Sequence, residues 1–170
     1  MAEVPRIRRA VPADAVPVAD CHTLCWQEAY AGLVSRDYLY SAAVQRRRLS
    51  RWQARLGGTR AVWLAEDGGL VVGVASTDRV VDPEAPVPIQ LMSLYLRSAY
   101  QGTGLAGRLL AAAIGSKPAF LWVFADNRRA RRFYTRHGFV PDGAEMTDPD
   151  TGLLEVRMVR SSLETSPGRA

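Results

Sequence analysis

Apolar residues recur in two rhythms along this chain, and each switch of rhythm marks a new element. Arg6 to Val11 reads as a short first strand. Pro12 and Asp14 then open a helical stretch, with Val18, Cys21, His22, Cys25, Trp26, Ala29 and Tyr30 at near-helical spacing before Gly32. Ser35 and Asp37 cap a short second helix. From about Ser41 to Leu56, Leu49, Trp52 and Leu56 share one side, and Arg47, Arg48, Arg51 and Arg55 share another. That pattern predicts an amphipathic helix with a solvated arginine face, or a basic patch for nucleic acid or an acidic acceptor. Ala61 to Glu66 and Leu70 to Asp78 read as strands joined by the hairpin turn Asp67-Gly68-Gly69, and a proline-rich loop runs from Asp82 to Pro88.

The second half is denser in apolar residues. Ile89 to Leu96 and Ala119 to Ala125 are apolar at nearly every position, which predicts central strands buried on both faces. Between them a glycine-rich turn, Gln101 to Gly107, opens a helical pattern that runs to about Ser116. After Asn127 a further helical pattern ends near His137-Gly138. Phe139 to Glu145 and Leu153 to Arg160 are the last two strands, separated by a turn-rich stretch from Thr147 to Gly152. No internal repeat or linker interrupts the 170 residues, so a single domain is expected over 1–160, followed by a flexible tail at 161–170.

Composition narrows the picture modestly. Lys and Arg total 22 against 17 Asp and Glu, a net charge of +5, and Lys117 is the only lysine. Such a surface suits nucleic acid, acidic lipid or an anionic cofactor without choosing between them. No apolar run approaches a membrane span, and the stretch from Met1 to Val16 lacks the apolar region of a signal peptide, so no membrane partner and a cytoplasmic home are expected. Cys21 and Cys25 stand four apart with no second pair, which fits reduced, buried thiols and no metal.

The chemistry concentrates between Ile89 and Phe139. A glycine-rich turn between strand and helix gathers free backbone N–H groups at the positive helix end, where an anion binds. Gln101-Gly102-Thr103-Gly104 lacks the lysine of a nucleotide P-loop and the full dinucleotide glycine spacing. Gln101-x-x-Gly104-x-Ala106 does resemble the Gln/Arg-x-x-Gly-x-Gly/Ala signature of the GCN5-related N-acetyltransferases (GNAT). Asn127-x-x-Ala130-x-x-Phe133-Tyr134, followed by His137-Gly138-Phe139, is similar to that family's later helix pattern. Leu94-Tyr95-Leu96 stands where the family's central strand precedes the turn.

The resemblance implies an α/β (α+β) fold: a mixed, mostly antiparallel sheet of six to seven strands, helices on both faces and splayed central strands. It implies acetyl-CoA as donor, CoA as product and a primary amine as acceptor, attacked directly in a ternary complex. Gln101, Gly102, Thr103, Gly104, Leu105, Ala106 and Gly107 would wrap the pyrophosphate. Leu94, Tyr95 and Leu96 would pair with the pantetheine arm, one of their N–H groups serving the oxyanion. Asn127 would bond the arm, and Tyr134 would protonate the departing thiolate. These two are seven residues apart, nearly two helical turns, so they point the same way about 10 Å apart. A tyrosine with a pKa of about 10 is protonated at neutral pH, as a proton donor must be.

The acceptor side is less legible. Many relatives place a glutamate base before the segment matched by Leu94-Tyr95-Leu96; here Gln90 occupies that place, and an amide cannot act as a base. Water relayed through Ser93 or Tyr95, or Glu28 on the first helix, are the substitutes, and an amine of low pKa would need none. The aromatic residues Trp26, Tyr30, Tyr38, Trp52 and Trp122 line an acceptor pocket or fill the core. The acceptor remains a small-molecule or peptide amine, with polycations disfavoured by the basic surface, and a homodimer stays open. Gln90 also keeps a second function class in play, a catalytically idle acyl-CoA-binding or regulatory domain. Nucleic-acid binding through the arginine helix lacks a groove-reading motif.

Overall fold

The computed structural model describes residues 4–161. Beyond Ser161, the expected tail lies outside the described residues. Seven strands form one sheet in the order β1-β2-β3-β4-β5-β7-β6. They are β1 (Arg6–Arg9), β2 (Val62–Asp67), β3 (Leu70–Arg79), β4 (Ile89–Leu96), β5 (Ala119–Phe124), β6 (Val140–Thr147) and β7 (Leu154–Arg160). All neighbours are antiparallel except β4 and β5. The helices are α1 (Ala15–Ala29), α2 (Arg36–Leu39), α3 (Ala42–Leu56), α4 (Leu105–Ile114) and α5 (Arg128–Arg136).

Local chemistry explains most element ends. Asp14 accepts from the N–H of Val11 and pairs with both Arg8 Nη atoms, tying β1 to the start of α1. Ser35 and Ser41 accept from Tyr38 N and Val44 N, capping α2 and α3. The β2–β3 hairpin turns through Gly68 and Gly69, both at positive φ.

Two faces of the sheet are covered differently. Val18 and Ala19 of α1 and Trp52 and Leu56 of α3 pack on Val62, Leu64 and Val74. On the opposite face, Leu110 and Ile114 of α4 pack on Leu91, Ala119 and Leu121, with Tyr134, Phe139 and Met158 in the same cluster. Truncating a fully buried leucine such as Leu110 to alanine would cost about 2–5 kcal/mol.

Gly73 permits a close approach. A Cβ there would lie 2.8 Å from Leu96 Cδ1 and 3.3 Å from Leu109 Cδ2. This glycine lets α4 settle onto β3 and β4.

Two expectations need correction. β5 is buried as the pattern predicts, but β4 is only partly so: of its eight residues, Leu91 and Leu96 are buried. β4 lacks a full neighbour on the β5 side. The arginine face of α3 is not uniformly solvated either. Arg48 is buried, and Arg55 makes a two-pronged pair with Asp78, both contacts at 3.0 Å.

Candidate active site

β4 and β5 touch at one backbone pair, Gln90 with Phe120, and then diverge. From Leu91 to Leu96 no residue of β4 pairs with β5, so the strand's outward backbone groups have no ladder partner there. A register shift beside Ser76 leaves Met92 unpaired as a bulge, which re-aims the residues after it. Ser93 and Tyr95 consequently face α1 and α3, with Ser93 Oγ 2.6 Å from Ser76 Oγ. A cavity of about 670 Å³ fills the gap and continues toward the turn before α4. Leu94, Tyr95, Leu96, Gln101, Gly102, Ala106, Asn127 and Tyr134 all line it.

The turn is built as an anion cradle. Gln101 Nε2 donates to Leu96 O at 3.1 Å, fastening the turn to the end of β4. Gly102 and Gly104 take φ of +81° and +86°, and a Cβ on either would meet nothing within 4 Å, so the space in front of the backbone is open. Among the described residues, the N–H groups of Gly102, Thr103, Gly104, Ala106 and Gly107 have no hydrogen-bond partner. These amides lead into the positive end of α4, and no acidic side chain lies between Gln101 and Gly107. The donor set therefore fits a pyrophosphate. Leu105 is the exception to the sequence expectation: its side chain is core, 2 % exposed, so only its backbone faces the turn.

Asn127 caps α5 rather than lying inside it. Its Oδ1 accepts from Ala130 N at 3.1 Å, which leaves the amide nitrogen to donate. Tyr134 is packed edge-on against Phe133 and Phe139, at centroid distances of 5.3 and 5.7 Å. Its hydroxyl makes no hydrogen bond among the described residues. Burial pushes this phenol above its ordinary value, with Tyr95 adding to the shift, so it holds its proton at neutral pH. Arg129 and Arg136 of α5 also line the cavity, adding positive charge to its wall.

The wall formed by α1, α2 and α3 is aromatic. Trp26, Tyr30, Tyr38 and Trp52 line the cavity there, as does His22, while Trp122 of β5 and Gln90 of β4 line it from the sheet. Tyr95 stacks on His22 at 4.2 Å. His22 Nδ1 accepts from Trp52 Nε1 at 3.0 Å, which places the imidazole proton on Nε2. Burial, with Arg48 and Arg51 nearby, holds this imidazole well below its ordinary value, so it stays neutral.

Three residues depart from the sequence reading. Glu28 lies outside the cavity: it accepts from Arg97 Nε at 2.8 Å and from Ser98 N at 2.7 Å, so it is an anchor and not a free base. Cys25, placed by sequence far from the chemistry, lines the cavity; the neighbouring Cys21 sulfur, 3.9 Å away, and burial push its thiol up and leave it unreactive. Glu155 of β7 was not singled out at all. It pairs with Phe124 at the diverging end of β5 and lines the cavity. Burial, with Asp148 beside it, pushes its carboxyl up to about 7. The alternating pattern of β7 could have put Glu155 on the face of Trp122 and Phe124, but only once β7 was known to lie beside β5.

The family model for the acetyltransferase (GNAT) domain matches residues 58–141. The probable N-acetyltransferase Rv2775 of Mycobacterium tuberculosis is 32% identical over 148 residues, 84% of this chain and 83% of that protein. The chain belongs to the GNAT family of acetyltransferases. Solved GNAT structures share its fold. The Corynebacterium glutamicum histone acetyltransferase HPA2 and related acetyltransferase superposes with a TM-score of 0.72 at 22% identity, covering 98% of this chain and 100% of that one. Salmonella typhimurium yncA, solved with acetyl-CoA, gives 0.66 at 21% identity and 99% of each chain. The seven-stranded, mostly antiparallel sheet with its parted β4 and β5 is the GNAT architecture. Among the described residues no helix is long and apolar enough to cross a membrane.

Proposed function

We propose that this GNAT protein transfers an acetyl group from acetyl-CoA to a primary amine by direct attack. The observation that carries the reading is the parting of β4 from β5, continuous with the open amide turn at one end and Tyr134 in its wall. The turn from Gln101 to Gly107 holds the pyrophosphate, and the unpaired edge of β4 from Leu94 to Leu96 holds the pantetheine arm, with Asn127 donating to it. Acetyl-CoA supplies the activated acyl group and a thiol leaving group. A free β4 N–H beside the bulge would stabilise the negative charge that develops on the acyl oxygen, and such a donor is worth about 3–4 kcal/mol.

Two side chains move the protons. A lysine-like amine with a pKa of about 10.4 must lose a proton before it attacks. Glu155 accepts it: its carboxylate forms near pH 7, and it lies on the acceptor side of the sheet. Beside burial, the group that acts on its charge is Asp148 in the β6–β7 turn. Tyr134, protonated throughout the physiological range, hands its proton to the departing sulfur and regains one from the acylated nitrogen as the tetrahedral intermediate collapses to the amide. Glu155 would supply the base that the amide at Gln90 cannot, which favours the enzyme over an idle domain.

The test is free-thiol release from acetyl-CoA over a panel of primary amines, beside equilibrium binding of acetyl-CoA. Turnover on at least one amine with dependence on Glu155 is expected. Tight donor binding with no thiol release on any amine would overturn the enzyme reading.

A further inference from the structure

Arg48 is a buried cation with no partner anion. It is 7 % exposed and lies on α3 in the cavity wall. Its Nη1 donates to Thr23 Oγ1 at 2.9 Å, and its guanidinium lies 5.3 Å from the Trp26 ring centroid. No carboxylate among the described residues pairs with it, and four of a guanidinium's five N–H donors are left over. Elsewhere on α3, Arg55 pairs with Asp78 and Arg51 reaches Asp150 at 3.6 Å, while Arg46 and Arg47 are exposed, where water solvates their charge. Burial pulls the Arg48 guanidinium below its ordinary value, as a cation without a counter-charge must be pulled.

Two more donors belong to the same wall. Trp26 Nε1 and His22 Nε2 are buried without a hydrogen-bond partner. With Nδ1 of His22 already accepting, its Nε2 carries hydrogen, so both unsatisfied atoms are donors. A buried charge and two unsatisfied donors in one wall call for an acceptor that is itself charged. Glu155 and Asp148 line the same cavity and give it a negative side to set against Arg48.

We infer that the acceptor is an amine carrying a carboxylate, with Arg48 receiving the carboxylate and the amine turned toward Glu155. The inference rests on the acetyl-transfer reading above and names its substrate class. The aromatic lining of Trp26, Tyr30 and Tyr38 suits an apolar side chain between the two ends. Polyamines are disfavoured, because a second ammonium would approach Arg48.

The experiment compares phenylalanine, methionine and 4-aminobutyrate with their primary amides and their decarboxylated amines. Binding is measured by calorimetry on the chain loaded with CoA, and turnover by thiol release. At least one aminocarboxylate is expected to exceed its amide by 10-fold or more in both affinity and kcat/KM. Arg48→Gln is expected to bring that ratio to within about 3-fold of one. Should Arg48→Gln fail to fold, competition in the wild type decides: 3-phenylpropionate, which has no amine, displaces the acceptor when Arg48 holds the carboxylate, and 3-phenylpropionamide does not. Equal binding of acid and amide overturns the inference while leaving acetyl transfer intact. Selective carboxylate binding with no thiol release on any amine supports the Arg48 site and overturns the transferase reading instead.

Discussion

Replacing Glu155 by glutamine is expected to weaken catalysis and strengthen the fold, each in its own pH range. The carboxyl titrates at about 7 in the folded chain against an ordinary 4.5, chiefly because it is buried and secondly because Asp148 is near. Between those values the folded protein holds a proton that the unfolded chain has released. The group's contribution to stability is thus fully present below about pH 4.5 and is lost as pH rises through about 7. The interval corresponds to about 3.4 kcal/mol at about 1.36 kcal/mol per pH unit. Water at the cavity mouth screens a half-buried group, which leaves about 1–2 kcal/mol. Glutamine has the same shape and no charge. Glu155→Gln should therefore be more stable than the parent by about 1–2 kcal/mol at pH 8, or about 2–8 °C in Tm, with no gain at pH 4.5.

The same substitution should lower kcat/KM at pH 8 by about 10²- to 10⁴-fold and erase the rise in activity near pH 7. Thermal unfolding at the two pH values and a thiol-release profile from pH 5 to 9 read both effects. An inflection near pH 7 that survives in Glu155→Gln, or a stability gain equal at pH 4.5 and pH 8, would refute the reasoning.

Other substitutions separate chemistry from scaffold. Tyr134→Phe removes a hydroxyl with no protein partner, so its Tm should stay within about 2 °C while kcat falls about 10- to 100-fold at pH 7. That defect should shrink above about pH 8.5, where the thiolate leaves unaided; a constant defect across the range would argue against proton donation. Glu28→Gln should leave the activity profile unchanged and lose about 1 kcal/mol at pH 7, read by urea unfolding. Bonds from Ser98 N and Arg97 outweigh the burial that would raise it and hold the Glu28 carboxyl below its usual range, so this loss should fade as pH falls through that lowered value. Gly73→Ala drives a methyl group into Leu96 and Leu109 and should cost about 1–3 kcal/mol in chemical denaturation, while loosening donor binding along β4.

The elements of this fold were legible because each carries its own local signal. Ser35, Ser41, the Gly68-Gly69 turn and the apolar run of β5 all act within a few residues of themselves. The proposed donor half of the site is legible for the same reason: Gln101 to Gly107 and Asn127 to Tyr134 are contiguous motifs. The acceptor half depends on distant packing. Arg48 shares a helical face with Arg47 and Arg51, and nothing local says that Trp26 of α1 covers it. Glu155 looks like an ordinary polar position of a terminal strand until β7 takes its place between β5 and β6. The apolar run of β4 concealed its open edge, because the missing partner is a property of β5's direction and not of β4's residues.

The single backbone pair between Gln90 and Phe120 has a thermodynamic consequence. It makes the sheet two half-sheets, β1 to β4 and β5 to β7, held together otherwise by side chains, among them the cluster of Leu91, Leu110, Ile114 and Leu121 and the packing of Trp26 and Tyr30 on Phe124. On the proposed reading, a donor molecule lying along β4 would act as a temporary eighth strand that bonds one half-sheet and leans on the other. Its occupancy is then written into the cohesion of the fold, about 2.7 kcal/mol when the donor is present at 100 times its Kd. Amide hydrogen exchange along Leu91 to Leu96 becomes a gauge of donor saturation, and the protein is at its firmest while it is charged to react.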